Sequence, residues 1–448
     1  MADPISAAAV APPPERRDLW DYLLIGAIFG GMAALTWAAI ATPLLQPLFD
    51  VAEREHWSAL WVRPTVIWVA TGLALMFART VFWVRYRSFA PATADDAPLL
   101  TVVIPAYNEG AMVETAIASV AMARYPAGRL QVIAVDDGSS DDTWRHIQHV
   151  SLRFPGLVTA VRMPSNLGKR GALAAGFRLA KGEVIVTVDS DSEIERGALL
   201  AIVGPFRDPR IGAVAGKVAV RNRRQGLIPR MLHVRFVLSF DFLRSAQSMF
   251  RTVYCCPGAL TAYRSSVVLD ALPEWERQRF LGVDCTYGED RALTNAILER
   301  GYDTVYQRSA VVHTIVPETY GQLCRMYLRW DRSYIREELR FARVVWRRPP
   351  LWRAFALYES TVTNLRFPIA YLSIALWIWH AVEDPGSIVR MLLAIMIVSV
   401  VYVLYYLRSE RSWDVVFGVL YAYFSFFALT WIFPYAALTL RARGWLTR

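Results

Sequence analysis

Val184-Ile185-Val186-Thr187-Val188-Asp189-Ser190-Asp191-Ser192 decides the fold. An unbroken run of β-branched residues predicts a strand buried on both faces, and the run stops at two carboxylates spaced one apart. The pattern repeats upstream. Residues 100–105, 131–135 and 158–162 predict strands, and residues 112–122, 141–154 and 168–180 predict helices between them. Strands alternating with helices of this length imply an α/β domain with a mostly parallel sheet, whose ligands bind at the carboxyl ends of the strands.

The flanks differ from this middle. The chain has 448 residues, 55% of them hydrophobic, and the apolar excess lies at the two ends. Residues 1–18, rich in Ala and Pro, predict a disordered tail. Residues 19–45 and 64–86 predict two membrane spans, each near the ~20 residues a crossing needs. The first run is too long for a signal-peptide core and lacks a cleavage site. Arg16 and Arg17 precede it, Asp50, Glu53 and Glu55 lie between the spans, and Arg85 and Arg87 follow the second. The positive-inside rule then puts the N-terminus and the middle domain in the cytoplasm. Residues 361–382, interrupted by Pro368, and 388–407 predict two further spans. The acidic connection Glu383-Asp384-Pro385-Gly386 would face outward, and Arg408 and Arg411 would return the chain inside. Residues 413–440 are too few for two crossings, and one crossing would strand Arg441, Arg443 and Arg448 outside. An interfacial or re-entrant element broken near Pro434 is expected, with a fifth span as the alternative.

The net charge of +10 comes almost entirely from arginine. With no compact basic block and no zinc-finger spacing, nucleic acid is not an expected partner. Cys255, Cys256, Cys285 and Cys324 show no CxxC pattern, adjacent cysteines pair poorly, and reduced thiols are the simplest expectation.

Chemistry concentrates where strands end. Tyr107-Asn108-Glu109 follows the first strand and Asp136-Asp137 the second. Carboxylates there either accept hydrogen bonds from a base or ribose or form Asx turns and N-caps. Asp189 and Asp191 either hold a hard divalent cation, Mg²⁺ or Mn²⁺, completed by substrate phosphates, or stand in a solvated turn. Lys169, one of three lysines, opens a helix from which it approaches a phosphate or points to solvent. Asp290, in Tyr287-Gly288-Glu289-Asp290 before a helix expected over 291–300, is a general base or the N-cap of that helix. Arg329 suits a diphosphate and Trp330 a sugar face; the same residues also suit an amphipathic helix lying on the membrane. His313 is a further candidate ligand, and Cys255-Cys256-Pro257-Gly258 a tight turn able to shape an acceptor pocket.

In this order the motifs resemble those of processive family 2 glycosyltransferases, most closely hyaluronan synthases and nodulation-type chitin-oligosaccharide synthases. The resemblance spans roughly residues 99–345. It includes Arg244-Ser245-Ala246-Gln247-Ser248, Phe280-Leu281-Gly282, residues 287–295 and Ser333-Tyr334-Ile335-Arg336-Glu337. The ending Trp445-Leu446-Thr447-Arg448 is similar to a cytoplasmic gating segment of the hyaluronan synthases that closes over the nucleotide. Met326 stands where the family has Gln, which puts the grip on the acceptor, and so the sugar or linkage, in question.

The resemblance implies a nucleotide-sugar-binding (GT-A type) domain over 97–345, two transmembrane helices over 19–90, and transmembrane and re-entrant helices with a gating tail over 346–448. It implies Tyr107, Glu109, Asp136, Asp137, Lys169, Asp189, Glu289, Arg329 and Trp445 as donor-binding residues. Asp189 and Asp191 would be the metal ligands, and Asp290, Arg329 and Trp330 the catalytic residues. The implied activity is inverting polymerisation of a UDP-sugar, UDP-N-acetylglucosamine among the candidates, onto a growing polysaccharide. A multi-pass protein of the cell (inner) membrane, embedded in the lipid bilayer and free to form oligomers, is expected. Two other activities fit parts of the sequence: sugar transfer to a polyprenyl phosphate, and a transporter or receptor with a nucleotide-binding domain.

Overall fold

The computed structural model describes residues 18–41 and 58–442. Its centre is a sheet built from β1 (Leu100–Ala106), β2 (Leu130–Asp136), β3 (Val158–Arg162), β4 (Val184–Val188), β5 (Ser192–Ile194), β6 (Ile211–Val220) and β7 (Leu260–Arg264). A small ribbon, β8 (Arg279–Phe280) and β9 (Val283–Asp284), stands apart, and β10 (Asp303–Thr314) completes the sheet. The strand order is β3-β2-β1-β4-β7-β6-β10-β5. β1 runs parallel to β2 and β4, β2 to β3, and β6 to β10. β7 inserts antiparallel between β4 and β6, and β5 lies antiparallel on β10.

Every residue of β1 and β4 is buried. Alternation sends Val102 and Ile104 into one apolar layer and Val103, with Ile133 and Val135 of β2, into the other. Each fully buried Val or Ile contributes roughly 1.5–3 kcal/mol, so the branched runs, covered on both faces, fix the centre of the sheet. The carboxyl ends of β1, β2 and β4 therefore open along one edge. The helix expected from residue 141 starts at Thr143, because Asp141 Oδ1 instead accepts the Thr143 N–H at 3.0 Å in an Asx turn.

Three described helices are long and apolar enough to cross a membrane: Leu19–Trp37, Pro350–Glu383 and Gly386–Glu410. The second expected span is the helix Ser58–Arg85, which does not meet that criterion over the described residues. Residues 1–17 and 42–57, with Arg16, Arg17, Asp50, Glu53 and Glu55, lie outside the described residues, as do residues 443–448. Pro368 does not interrupt its helix, which runs unbroken from Pro350 to Glu383. The residues over 413–440 form a bent pair, Val415–Leu429 and Ile432–Leu438, at 43° to each other, the geometry of a broken span or a re-entrant loop. The break falls at Thr430–Trp431, three residues before Pro434, after a π-helical stretch, Ser425–Leu429. Pro434 sits in the first turn of the second helix, where its missing N–H has no partner to lose.

The sheet domain and the apolar helices share packing. Trp83, Phe242 and Tyr405 meet in one cluster with Ile28, Met32 and Val401. Tyr86 donates to the Tyr306 carbonyl at 2.7 Å, and Lys217 pairs with Glu410 at 2.9 Å. Arg411 pairs with Asp18 at 2.7 Å, which places the start of the first helix beside the end of Gly386–Glu410.

Candidate active site

The loops after β1 and β2 are locked together. Asn108, in the left-handed region at φ 52°, accepts the Ser140 N–H at 2.9 Å through its side chain. The Glu109 and Gly110 N–H groups both donate to Thr143 Oγ1 at 2.8 Å. Asp136 is fully buried; its Oδ1 accepts the Ser139 N–H at 3.1 Å, and Arg162 Nε lies 3.3 Å from its Oδ2. Asp137 Oδ1 accepts the Leu167 N–H at 2.9 Å, which ties β2 to the turn that opens the Lys169 helix, Gly168–Leu179. Burial raises the Asp137 carboxyl above its ordinary range, against the pull of the Leu167 and Gly168 N–H groups. Beside these carboxylates lies an open groove of about 470 Å³, lined by Gly138, Ser139, Arg162, Met163 and Pro164. Tyr107 and Glu109, in the loop after β1, are half-buried.

Lys169 joins the next two motifs. Its Nζ lies 2.6 Å from Asp189 Oδ1 and 2.9 Å from Glu289 Oε1. A carboxylate at the end of β4 and one at the start of the helix Glu289–Glu299 thus share a single cation. Burial opposes ionisation of Glu289, but the Lys169 ammonium outweighs it and holds the carboxyl well below the usual range. Asp189 goes the other way. Burial, with Asp191 and Glu289 close by, raises it despite Lys169. Asp290 is raised too, by burial first and then by the Glu289 charge. Two neighbouring carboxyls are thereby pushed apart, one firmly ionised and one a stronger proton acceptor than an ordinary Asp.

The setting of Asp290 corrects the sequence in one respect. The helix begins at Glu289, so Asp290 lies in its first turn and Gly288 takes the N-cap position. Gly288 is left-handed at φ 75°, and a Cβ there would stand 1.9 Å from Ser333 Oγ. Arg336 Nη2 donates to the Tyr287 carbonyl at 2.6 Å, and Trp275 Nε1 to the Glu289 carbonyl at 2.8 Å. Gly288, Ser333, Arg336 and Trp275 thus frame the carboxylate pair, and no charge pattern in the sequence marks Gly288 or Trp275 for that task.

Arg329 and Trp330 lie on the helix Tyr320–Val344, one turn before Ser333. Trp330 is 38% exposed, enough to offer a ring face, and stands 5.7 Å from the Tyr327 ring and 6.1 Å from that of Phe236. Met326 packs against the main apolar core. The segment after Ile432–Leu438 returns to the site: Arg332 binds Thr439 Oγ1 at 2.8 Å, and Tyr287 donates to the Ala442 carbonyl at 3.0 Å. Trp445 lies outside the described residues.

Asp191 Oδ1 accepts from Thr314 Oγ1 at 3.3 Å. Gly258 stands over Asp189, where a Cβ would come within 3.2 Å of Oδ1 and 2.6 Å of Lys169 Nζ. The loop therefore packs so closely over the carboxylate that a side chain at Gly258 would crowd it, and Lys169 already supplies a positive charge there. As hard oxygen donors, Asp189 and Asp191 suit Mg²⁺ or Mn²⁺. His313 does not join them. It pairs with Glu195 at 3.1 Å, and among the described residues no group of three or more His, Cys, Asp or Glu converges. The four cysteines are free thiols.

Residues 101–271 match the family described as Glycosyl transferase family 2. An N-acetylglucosaminyltransferase of Mesorhizobium japonicum is 35% identical over 250 residues, 56% of this chain and 59% of that protein, so the match spans less than two thirds of the relative's length. An N-acetylglucosaminyltransferase of Rhizobium meliloti is 29% identical over 80% of this chain and 83% of its own. The solved mannosyltransferase PcManGT of Pyrobaculum calidifontis, in complex with GDP-Man and Mn²⁺, superposes with a TM-score of 0.56 at 21% identity, over 80% of this chain and 97% of that one. That superposition shows a shared GT-A-like fold.

Proposed function

We propose, on the match of residues 101–271 to glycosyl transferase family 2, that the chain is a processive, inverting polysaccharide synthase of the cell membrane. One observation carries the reading: Lys169 bridges Asp189 and Glu289, which brings the donor-phosphate motif within one side chain of the Glu289–Asp290 pair. A UDP-sugar would place its base and ribose beside Tyr107, Glu109, Asp136 and Asp137, in the groove next to β2. Asp189 and Asp191 would hold Mg²⁺ or Mn²⁺, which when bound neutralises diphosphate charge. Lys169 adds a fixed charge at the same place and, with Arg329, favours departure of UDP.

Asp290 removes the proton from the terminal hydroxyl of the acceptor. The freed oxygen attacks the anomeric carbon from the face opposite the diphosphate. The C–O bond to UDP breaks, the electron pair leaves with UDP, and the anomeric configuration inverts. Burial and the Glu289 charge, which raise Asp290, suit it to hold that proton. Trp330 would stack on the acceptor sugar. The apolar helices that can cross a membrane support export of the product through the same chain, with the sheet domain on the cytoplasmic side. The relatives named N-acetylglucosaminyltransferase favour UDP-N-acetylglucosamine as a donor. The bent pair and the anchored Thr439 and Ala442 support a return of the chain, as far as residue 442, to the loop that precedes Asp290.

The test is purification in detergent with Mn²⁺, followed by UDP release and product size from UDP-sugars offered singly and in pairs. Polymer from UDP-N-acetylglucosamine alone, or only with a second donor, supports the reading and names the product. A lipid-extractable monosaccharide as sole product would overturn polymerisation.

A further inference from the structure

Both oxygens of Asp290 are approached from one short stretch of the helix Pro350–Glu383. The first path runs through Glu338 on Tyr320–Val344. Glu338 Oε1 accepts from Arg291 Nη1 at 2.8 Å, and its Oε2 accepts from Ser360 Oγ at 3.0 Å and Asn364 Nδ2 at 3.1 Å. Tyr334 donates to Asn364 Oδ1 at 2.7 Å, and the Arg291 guanidinium stands 4.8 Å from the Tyr334 ring centre. Arg291 follows Asp290 directly, and its N–H donates to Asp290 Oδ1 at 2.7 Å. The second path runs through Glu359, which is fully buried. Glu359 accepts from Arg79 Nε at 2.7 Å and from the Tyr254 hydroxyl at 2.7 Å. Tyr254 precedes Cys255, whose Sγ lies 3.7 Å from Asp290 Oδ2.

A buried carboxylate costs several kcal/mol to desolvate and persists where its oxygens are filled. Glu338 and Glu359 are filled on both oxygens, and every partner belongs either to an apolar helix or to the surroundings of Asp290. The sheet edge that holds the donor contributes none of them. We propose that Glu338 is a positioning residue for Asp290, so that the helix Pro350–Glu383, acting through Ser360 and Asn364, sets where the base stands. The proposal rests on the reading of Asp290 as the base. It makes a single element common to the chemistry and to the membrane part of the protein. A shift of that helix moves the base relative to a donor that stays fixed on the sheet.

The experiment uses full-length protein in detergent and compares E338Q, E338D, the pair S360A/N364A, the triple variant and D290N. Gln keeps one acceptor oxygen and replaces the other with a donor, which opposes Ser360 and Asn364. Misplacing a catalytic group by about 1 Å costs on the order of 100-fold. The expected result is a kcat lowered by about tenfold to about 100-fold in E338Q and in S360A/N364A, with donor KM and UDP affinity within about twofold of the parent. E338D should recover part of the loss, and the triple variant should be no slower than E338Q, because residues acting through one path are not additive. Parental kcat in E338Q, or losses that multiply in the triple variant, would overturn the proposal. Should E338Q fail to fold, parental kcat in S360A/N364A overturns it as well. Turnover retained by D290N would instead remove the base assignment. An inactive D290N beside a fully active E338Q would remove only the positioning role.

Discussion

At the scale of single residues, the site works by unequal sharing of one lysine. Glu289 wins the Lys169 charge, while Asp189 and Asp290 are raised by burial. A base must be deprotonated to act, so turnover should fall as pH drops through the Asp290 pKa. Because that pKa is raised, the acid limb of a kcat–pH profile should lie above the ordinary Asp range, and D290N should abolish turnover while UDP still binds. Lys169 gives a second expectation. Removing one partner of a buried ion pair costs about 3–5 kcal/mol. Glu289, held low, contributes stability above the ordinary Glu range and loses it as pH falls through its lowered value. K169M should therefore melt well below the parent at neutral pH and converge with it in acid, as thermal scans across pH would show. The carboxylates and Lys169 were legible in the sequence because they end strands or open helices. Their partnership was not, since 20 residues separate Lys169 from Asp189 and 120 from Glu289, and no local pattern encodes that closure.

At the scale of elements, the helix Tyr320–Val344 organises the site. Thr319 and Gln322 close a capping box at its start, and its Ser333 and Arg336 brace the loop before Asp290. Gly288 is the tightest point of that brace. G288A should strain the left-handed backbone by roughly 1–2 kcal/mol and drive a methyl into Ser333. Denaturant melts should show G288A clearly destabilised, with G288A/S333G recovering the steric part but not the backbone part. β1 to β4 were legible because branched runs punctuated by helices have one physical solution. β6, half of it Ala and Gly, and β7, which enters antiparallel, carry no such run, and only pairing with their neighbours makes them strands. Proline misled once at this scale: Pro368 is accommodated within a continuous helix, whereas the break expected near Pro434 falls just before the helix that carries it.

At the scale of the molecule, the ion pairs between Asp18 and Arg411 and between Asp21 and Arg408 put the start of the first apolar helix beside the end of Gly386–Glu410. The connection at Asp384–Pro385 must then lie at the far ends of the two helices it joins. With the sheet domain in the cytoplasm, a cysteine introduced at Asp384 should react with an impermeant thiol reagent from outside intact cells. One at Trp413, which is 91% exposed, should react only after the membrane is opened. The reverse pattern would invert the proposed orientation.

The cluster of Trp83, Phe242 and Tyr405 has a consequence for anyone who would dissect this protein. Phe242 comes from the sheet domain, Trp83 and Tyr405 from helices on either side of it in the chain. Tyr306 loses its Tyr86 donor, and Lys217 its Glu410 partner, if the flanking helices are cut away. Residues 97–345 expressed alone would present a greasy scar and orphaned polar groups to water, and should aggregate. The catalytic part is less a passenger on a membrane anchor than one half of a single folding unit.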